Sequence, residues 1–426
     1  MALIERLVGQ VVKEGRLTLV LPDGRSREFG SGRGKSLTIR VADKRTVFAI
    51  ARNPRLGLGE AYMDGRLVIE DGDILDLMEL VTRANRWEGG GAGRKALRKG
   101  KNPLKKLWRA RNVAKRARKN VAHHYDIGNA LYRLFLDDDL QYSCAYFTDP
   151  ANSLEQAQLD KKAHIAAKLA LEPGLHVLDI GCGWGGTALY LNRVAGVKVT
   201  GVTLSEEQLK VARERAAAAG VSDQVKFELI DYRHVVGQFD RIVSIGMFEH
   251  VGAAHYEEFF AKCRELLKPD GVMLLHTIGK FGKASSPDPF TDKYIFPGYH
   301  LPSLSQMAAA SEKTRLITTD VETLRLHYAY TLRHWLQRTR KHKKEIVALY
   351  DERFFRMWEF YLAGGVVGFE FGTMCNYQLQ YIRDRRALPI TRDYMLESER
   401  QLQAAGTKKA RRSAPGPGRG KARSAA

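Results

Sequence analysis

The segment Val177-Leu-Asp-Ile-Gly-Cys-Gly-Trp-Gly-Gly186 joins a buried-strand pattern, an acid and closely spaced glycines, a composition suited to cradling a nucleotide-type cofactor. Glycine lets the main chain turn sharply and approach a ligand with no Cβ in the way. Gly181, Gly183 and Gly186 satisfy G-x-G-x-x-G, which suits a dinucleotide equally well, or an ordinary glycine-rich turn with no ligand. Gly181, Gly183 and Gly185 also form the tighter G-x-G-x-G, and Asp179 stands just before the turn. A carboxylate there repels a pyrophosphate but can hold an ammonium group, which favours S-adenosylmethionine, a sulfonium amino acid without phosphate. Thr203-Leu-Ser205 lacks the ribose-binding acid that a dinucleotide enzyme carries about twenty residues after its glycines. Asp231-Tyr232 offers an edge and a face to an adenine. Glu249, in Gly246-Met-Phe-Glu-His-Val-Gly252, and His276 are an acid and a base at strand ends, a candidate functional pair.

The elements that must position these residues alternate from Leu175 onward. Strands are predicted at 175–180, 198–203, 225–229, 241–245 and 272–277, with helices over 187–194, 205–218 and 255–267. Ser205 and Gln208 read as a capping box, and Pro269-Asp-Gly271 as a helix stop. Such alternation implies an α/β fold with a parallel, doubly wound, Rossmann-like sheet, whose ligand crevice lies at the carboxyl ends of the strands. The loops named above all fall at that edge. Ahead of it, Leu17-Thr-Leu-Val-Leu21 and Leu37-Thr-Ile-Arg-Val41 read as short strands of a smaller α+β unit over residues 1–90. Leu56-Gly-Leu-Gly-Glu-Ala-Tyr-Met-Asp-Gly65 reads there as a helix-bearing loop.

A length of 426 residues calls for more than one folding unit. The four cysteines, Cys144, Cys182, Cys263 and Cys375, show no C-x-x-C spacing, so neither a disulfide framework nor a metal site is expected. No apolar run is long enough to span a bilayer and no secretion signal is evident, so a cytoplasmic location is expected. The net charge of +21 resides almost wholly in a run of lysines and arginines over 94–119 and in the tail, from Lys408 to Arg423. Two cationic straps on a near-neutral body call for a polyanionic partner, either nucleic acid or anionic lipid headgroups. Leu104, Leu107, Trp108, Ala110, Ala114 and Ala117 recur at helical spacing within the first strap, making residues 91–122 a basic amphipathic linker suited to a membrane interface, or to packing on its own protein. The tail over 401–426, with Pro415, Gly416, Pro417 and Gly418, is too poor in apolar residues to fold and is expected to be disordered.

Several of these residues carry a resemblance. Tyr142-Ser-Cys-Ala-Tyr-Phe147, Leu178-Asp-Ile-Gly-Cys-Gly-Trp-Gly185, Gly201-Val-Thr-Leu-Ser205, Arg241-Ile-Val-Ser-Ile-Gly-Met-Phe-Glu-His-Val-Gly252, Leu274-Leu-His-Thr-Ile-Gly279 and Lys293-Tyr-Ile-Phe-Pro297 closely resemble the cyclopropane-fatty-acyl-phospholipid synthases and their mycolic-acid relatives. The likeness runs over 123–383. Residues 1–90 more loosely resemble the amino-terminal domain of the phospholipid-acting members, around Leu58-Gly-Glu-Ala-Tyr-Met-Asp-Gly65.

The resemblance implies a methyltransferase domain over 123–400 with an acyl-binding helical cap. Its reaction would be transfer of the methyl carbon of S-adenosylmethionine to the double bond of an unsaturated phospholipid acyl chain, at the inner face of the membrane. The resulting carbocation would lose a proton from the added methyl to a bound bicarbonate and close a cyclopropane ring. Loss of a different proton would give methyl- or methylene-branched chains instead, an alternative the sequence leaves open. Aromatic faces can stabilise the cation, with Tyr142, Tyr146, Phe147, Tyr294, Phe296, Tyr299 and Phe360 as candidates. The resemblance assigns the bicarbonate to Cys144, through its amide, and to Glu249, His276, the Ile278 amide and Tyr328, with Tyr330 as the substitute if the register slips. It assigns the cofactor to Tyr142, Ser143, Gly181, Cys182, Gly183, Trp184, Gly185, Thr203, Leu204, Ser205, Gln208, Asp231 and Tyr232 together with Asp179. Residues 281–304 are the candidate wall of an acyl tunnel. Met247-Phe-Glu-His250 stands where target-amine methyltransferases carry an Asn or Asp-Pro-Pro-Tyr motif, so nucleic acid is not the expected partner; a homodimer is left open.

Overall fold

The computed structural model describes residues 2–89, 128–283 and 285–413. The basic linker expected over 91–122 therefore lies outside the described residues.

The amino-terminal unit is built on a four-stranded sheet of order β2-β1-β3-β4, with β1 Arg16–Val20, β2 Ser26–Phe29, β3 Ser36–Val41 and β4 Leu67–Ile69. Leu17, Leu19, Leu37 and Ile39 alternate onto its buried face, as a half-covered sheet demands. Helices α1 Ala2–Val11, α2 Lys44–Arg52, α3 Pro54–Met63 and α4 Ile74–Arg83 accompany it. Pro54 opens α3 at a position where a missing N–H costs nothing, and Asp73 with Asp76 closes a capping box on α4.

The larger sheet has the order β10-β11-β9-β8-β5-β6-β7. Strands β5 His176–Ile180, β6 Lys198–Thr203, β7 Val225–Leu229, β8 Phe239–Ile245 and β9 Leu267–Lys280 are parallel. Val177, Leu178, Ile242, Val243, Leu274 and Leu275 are fully buried, the signature of strands covered on both faces. Helices α5 Asn129–Phe135, α6 Leu154–Lys168, α7 Gly186–Ala195, α8 Glu206–Ala218 and α9 Tyr256–Leu266 precede or connect them. Strand β5 lies between β6 and β8, so the topology reverses there and opens a crevice at the carboxyl ends.

The sheet differs from the wholly parallel expectation at one edge. Strands β10 Ile317–Leu324 and β11 Met374–Ile382 are antiparallel additions, β11 pairing with β9 and β10 with β11. Asn376, Gln378 and Gln380 line one face of β11 and are all buried, so this strand does not show the apolar run by which interior strands are read. Pro269-Asp-Gly271 does not stop a helix; α9 ends at Leu266, and these residues form an irregularity inside the long β9.

Helices α10 Pro289–Tyr294, α11 Leu304–Lys313, α12 His327–Lys341, α13 Lys343–Leu349 and α14 Glu352–Glu370 follow, and α15 Asp393–Ser413 packs on α6. That last helix corrects the expectation of a structureless tail from residue 401, since the chain stays helical to Ser413; residues 414–426 lie outside the described residues. One hydrophobic core runs from the amino-terminal sheet into α5, α12 and α14. Polar contacts stitch the same seam: Tyr62 donates to Glu359 at 2.6 Å, Glu60 takes both Lys293 at 2.6 Å and Tyr294 at 2.8 Å, and Arg340 bridges Asp73 and Glu359 at 2.7 Å each.

Candidate active site

A pocket opens at the carboxyl ends of β5, β6, β7 and β8. Its floor is the turn after β5. Gly181 and Gly183 have φ of +85° and +56°, conformations that L side chains resist. A Cβ on Gly183 would meet nothing within 4 Å, so this residue faces the open space, whereas one on Gly181 would strike Met247 at 2.9 Å. Asp179 is buried, lines the pocket, and its Oδ2 has no hydrogen-bond partner among the described residues. Burial pushes its carboxyl up to about 7, opposed by the cation of Lys161. A buried acid oxygen left unpaired at a pocket wall is satisfied when a cationic ligand group arrives.

The second wall is Thr203, Leu204 and Gln208 after β6, and the third Asp231 and Tyr232 after β7. Burial raises the Asp231 carboxyl, but Arg233, held through contacts of 2.9 and 2.6 Å, more than offsets this and leaves it below the usual range. Tyr142 and Ser143 close the fourth side, with Trp184 anchored by its indole N–H on Asn129 at 2.9 Å.

The structure thus brings the expected cofactor residues to one cavity, except two. Gly185 sits at the start of α7, where a Cβ would strike Phe227 at 2.6 Å, so the packing of sheet and helix claims it. Ser205 spends its hydroxyl as the N-cap of α8, accepting from the Gln208 N–H at 3.3 Å. The expected capping box is only half formed, because the Gln208 side-chain oxygen takes the Thr203 hydroxyl at 3.1 Å instead.

None of the expected anion-site residues, Cys144, Glu249, His276, Ile278 and Tyr328, lines this pocket. Glu249 Oε1 accepts the Ile278 N–H at 2.6 Å, while its Oε2 is buried with no partner among the described residues, and burial pushes the carboxyl up to about 7. His276 is wedged between Asn376 and Gln378 at 3.0 and 3.1 Å, and burial pushes it down to about 3. A neutral imidazole carries one N–H, so one of the two amides must turn its oxygen to the ring. Among the described residues no hydrogen bond joins Glu249 to His276; the link between them is β9, which carries both His276 and Ile278. The Cys144 thiol is buried, donates to the Ala145 carbonyl at 3.3 Å and is pushed above its ordinary pKa, the opposite of an activated nucleophile. Tyr328 packs on Trp335 and Phe369 and shares an electrostatic field with Tyr142, while Tyr330 meets Phe147 edge-on at 5.6 Å.

The aromatic candidates divide into two groups. Tyr146 is sandwiched between His164 and His327 at 4.1 and 4.9 Å, and Phe147 stacks on His334, which makes both part of the scaffold under the loop. Tyr142 and His250, both in the pocket wall, lead instead to Tyr361 and Phe296, which meet each other at 6.1 Å. Phe296 belongs to the expected tunnel segment, as does Phe290, packed on Phe360 at 4.6 Å. Sequence reasoning missed His250, Met247, Gln141 and Lys161. His250 and Met247 flank Glu249 inside a quoted motif, but Lys161 sits in Asp160-Lys-Lys162, which reads as a solvated charge run.

A family model for mycolic acid cyclopropane synthetase matches residues 112–379. The chain belongs to the mycolic acid cyclopropane synthetase family. A second model, a domain of unknown function, matches residues 7–87. Among curated members, the chain is 42% identical to the cyclopropane-fatty-acyl-phospholipid synthase of Escherichia coli K12, over 76% of this chain and 82% of that protein. It is 37% identical to a probable fatty acid methyltransferase of Pseudomonas putida, over 89% of this chain and 96% of that protein. A solved mycolic acid cyclopropane synthase, CmaA1 in complex with SAH and CTAB, superposes with a TM-score of 0.59 at 34% identity, over 62% of this chain and 97% of the other. Within this synthetase family the methyltransferase-type sheet, with its amino-terminal α+β unit, is the architecture described above.

Proposed function

We propose that this protein transfers the methyl carbon of S-adenosylmethionine to the double bond of unsaturated acyl chains of membrane phospholipids and closes a cyclopropane ring. It is an S-adenosylmethionine-dependent methyltransferase of the cyclopropane synthase class. The observation that carries the finer reading is the pocket itself, in which the unpartnered Asp179 carboxylate faces a cavity whose Tyr142 and His250 open onto the aromatic side chains of Tyr361 and Phe296.

The cofactor supplies an electrophilic methyl group. Asp179 suits its ammonium, Gly183 lets the main chain approach, and Asp231 and Tyr232 suit the adenosine end. With the cofactor bound, the alkene π pair would form the new carbon–carbon bond, the old bonding pair would stay on the departing neutral thioether, and the positive charge would pass to the acyl chain. The ring faces of Tyr142, Phe296 and Tyr361 stabilise that charge without adding to it. The protonated Cys144 thiol is likewise no trap for it. A base then takes a proton from the added methyl and the ring closes.

For that base the reading invokes bicarbonate, assigned to Glu249, His276, Tyr328 and the amides of Cys144 and Ile278; the Ile278 N–H now serves Glu249 and both His276 ring nitrogens meet Asn376 and Gln378, so these two would have to exchange partners to join it. The donor set fits a small oxyanion in one respect above all: Glu249 Oε2 is buried, has no partner among the described residues and belongs to a carboxyl that keeps its proton up to about 7. His276, pushed down to about 3, is neutral and adds no charge. The Ile278 N–H already serves Glu249 Oε1, which leaves Oε2 as the oxygen with capacity for the anion.

Among the described residues no helix is long and apolar enough to cross a membrane. The reading has the enzyme work peripherally at the cytoplasmic face because the lysines and arginines of 94–119 and of the tail suit anionic headgroups. The Pseudomonas putida relative is named a probable fatty acid methyltransferase, and methylation that ends in a methyl- or methylene-branched chain is kept as the second reading. Incubation with methyl-labelled S-adenosylmethionine and phospholipid vesicles tests the substrate class. Label should enter lipids with unsaturated chains and not saturated ones; equal labelling of both, or of neither, contradicts it.

A further inference from the structure

Helix α6 is unusual in burying its polar residues, among them Gln158, Lys161, His164 and Lys168. Lys161 is fully buried, with its ammonium on Gln141 Oε1 at 2.6 Å and on Ser143 Oγ at 2.8 Å. Both acceptors are neutral, and among the described residues no carboxylate makes an ion pair with it. Asp139, which accepts from Gln141 at 3.0 Å, is already shared by Lys162 and Arg215. Asp137, Asp139 and Asp179 act on the ammonium through their charge but none touches it, which leaves an anion held beside its two neutral contacts as the direct partner it lacks.

The place for that anion is the pocket. Gln141 and Ser143 both line it, and so does Asp179, the buried acid whose Oδ2 is likewise unpartnered. A cation that reaches the cavity through Ser143 and Gln141, and an acid on the same wall whose Oδ2 has no hydrogen-bond partner among the described residues, match the two ends of an amino-acid zwitterion. Lysine only donates, so Ser143 Oγ must accept from it, and the serine's own O–H is left to donate. In the same way the Gln141 oxygen is taken up by Lys161.

We propose that Lys161 is a positioning residue for the carboxylate of the methyl donor's amino-acid end, acting through Ser143 and Gln141 while Asp179 takes the ammonium. This rests on the cofactor proposed above. Ser143 becomes an obligate hydrogen-bond donor toward the carboxylate, and the Lys161 charge balances it across that hydroxyl. Gln158 supports the same loop from below, donating to the carbonyls of Gln141 and Ser143 at 3.1 and 3.0 Å.

The test is calorimetric binding to the full chain of S-adenosylhomocysteine and of its decarboxylated analogue, which keeps the amine and lacks the carboxylate. Lys161→Met should weaken S-adenosylhomocysteine about thirtyfold and the analogue less than about twofold, the scale of a charge-assisted hydrogen bond. Ser143→Ala should weaken the first about tenfold and spare the second, and it decides the matter if Lys161→Met does not fold. Asp179→Asn should weaken both. Equal losses for the two ligands in Lys161→Met and Ser143→Ala, or no loss in either, overturn the proposal. Failure of the unaltered protein to bind either ligand would instead remove the cofactor reading on which it rests.

Discussion

Glu249 Oε1 accepts the main-chain N–H of Ile278 at 2.6 Å, while Oε2 of the same carboxyl is buried with no partner among the described residues. The acid is thus fixed through Oε1; burial holds its proton up to about 7, outweighing the Ile278 N–H and the Thr277 hydroxyl, which both favour its charged form. In the unfolded chain the same proton leaves near about 4.3. Between these values the folded state binds more protons, so the stabilisation is complete below about 4.3 and is lost as pH rises through about 7. Glu249→Gln should flatten that part of the stability curve, gaining on the order of 3 kcal/mol relative to the parent above neutrality. Thermal unfolding of both proteins across this window checks it; parallel curves would contradict it.

His276 has the opposite sense. Burial holds it neutral down to about 3, so the stability it contributes is present above about 6.5 and declines as pH falls toward 3. Nitrogen-15 imidazole shifts should show one fixed tautomer with no titration near about 6.5, and His276→Ala should lower turnover while leaving S-adenosylhomocysteine affinity within about twofold. A titration near the ordinary histidine value would contradict the buried placement.

The parts of the fold that could be read from the sequence are those whose cause is local. The turn at Gly181 and Gly183 needs glycine for its positive φ, and the boundaries of β6 and β7 follow from short apolar, β-branched runs. What escaped is held by partners distant in the chain. Gln378 is a buried strand residue because it meets His276, and Lys161 is interior because Gln141 and Ser143 receive its ammonium. Neither pairing leaves a periodic trace in its own segment. Gly185 and Ser205 do not line the cavity for a related reason: a motif marks where the chain turns, but Phe227 and the Gln208 N–H decide which way each residue faces.

Gly59 shows how closely the amino-terminal unit abuts the expected acyl segment. A Cβ there would lie 2.4 Å from Phe290 and 2.8 Å from Phe360. Gly59→Ala should destabilise the protein by about 1–3 kcal/mol in denaturant unfolding. It should also cut turnover on lipid more than it cuts cofactor affinity, because the displaced rings belong to the proposed acyl side. Unchanged stability and turnover would show that α3 and α10 do not pack as described.

Replacing the lysines and arginines of 94–119 with glutamine should weaken co-sedimentation with anionic vesicles, most at low salt, since each such charge near the surface is worth about 1 kcal/mol. Binding that ignores both the substitution and the salt would remove the membrane role of this segment.

The proposed ring closure is tested most directly by supplying S-adenosylmethionine with a fully deuterated methyl group to the protein and unsaturated phospholipid vesicles, then weighing the lipid product by mass spectrometry. Closure through loss of a methyl proton leaves two of the three deuterons in a cyclopropane-bearing chain, and that is the expected result. A product that keeps all three would mean that the cation lost its proton elsewhere, and the cyclopropane assignment would fall.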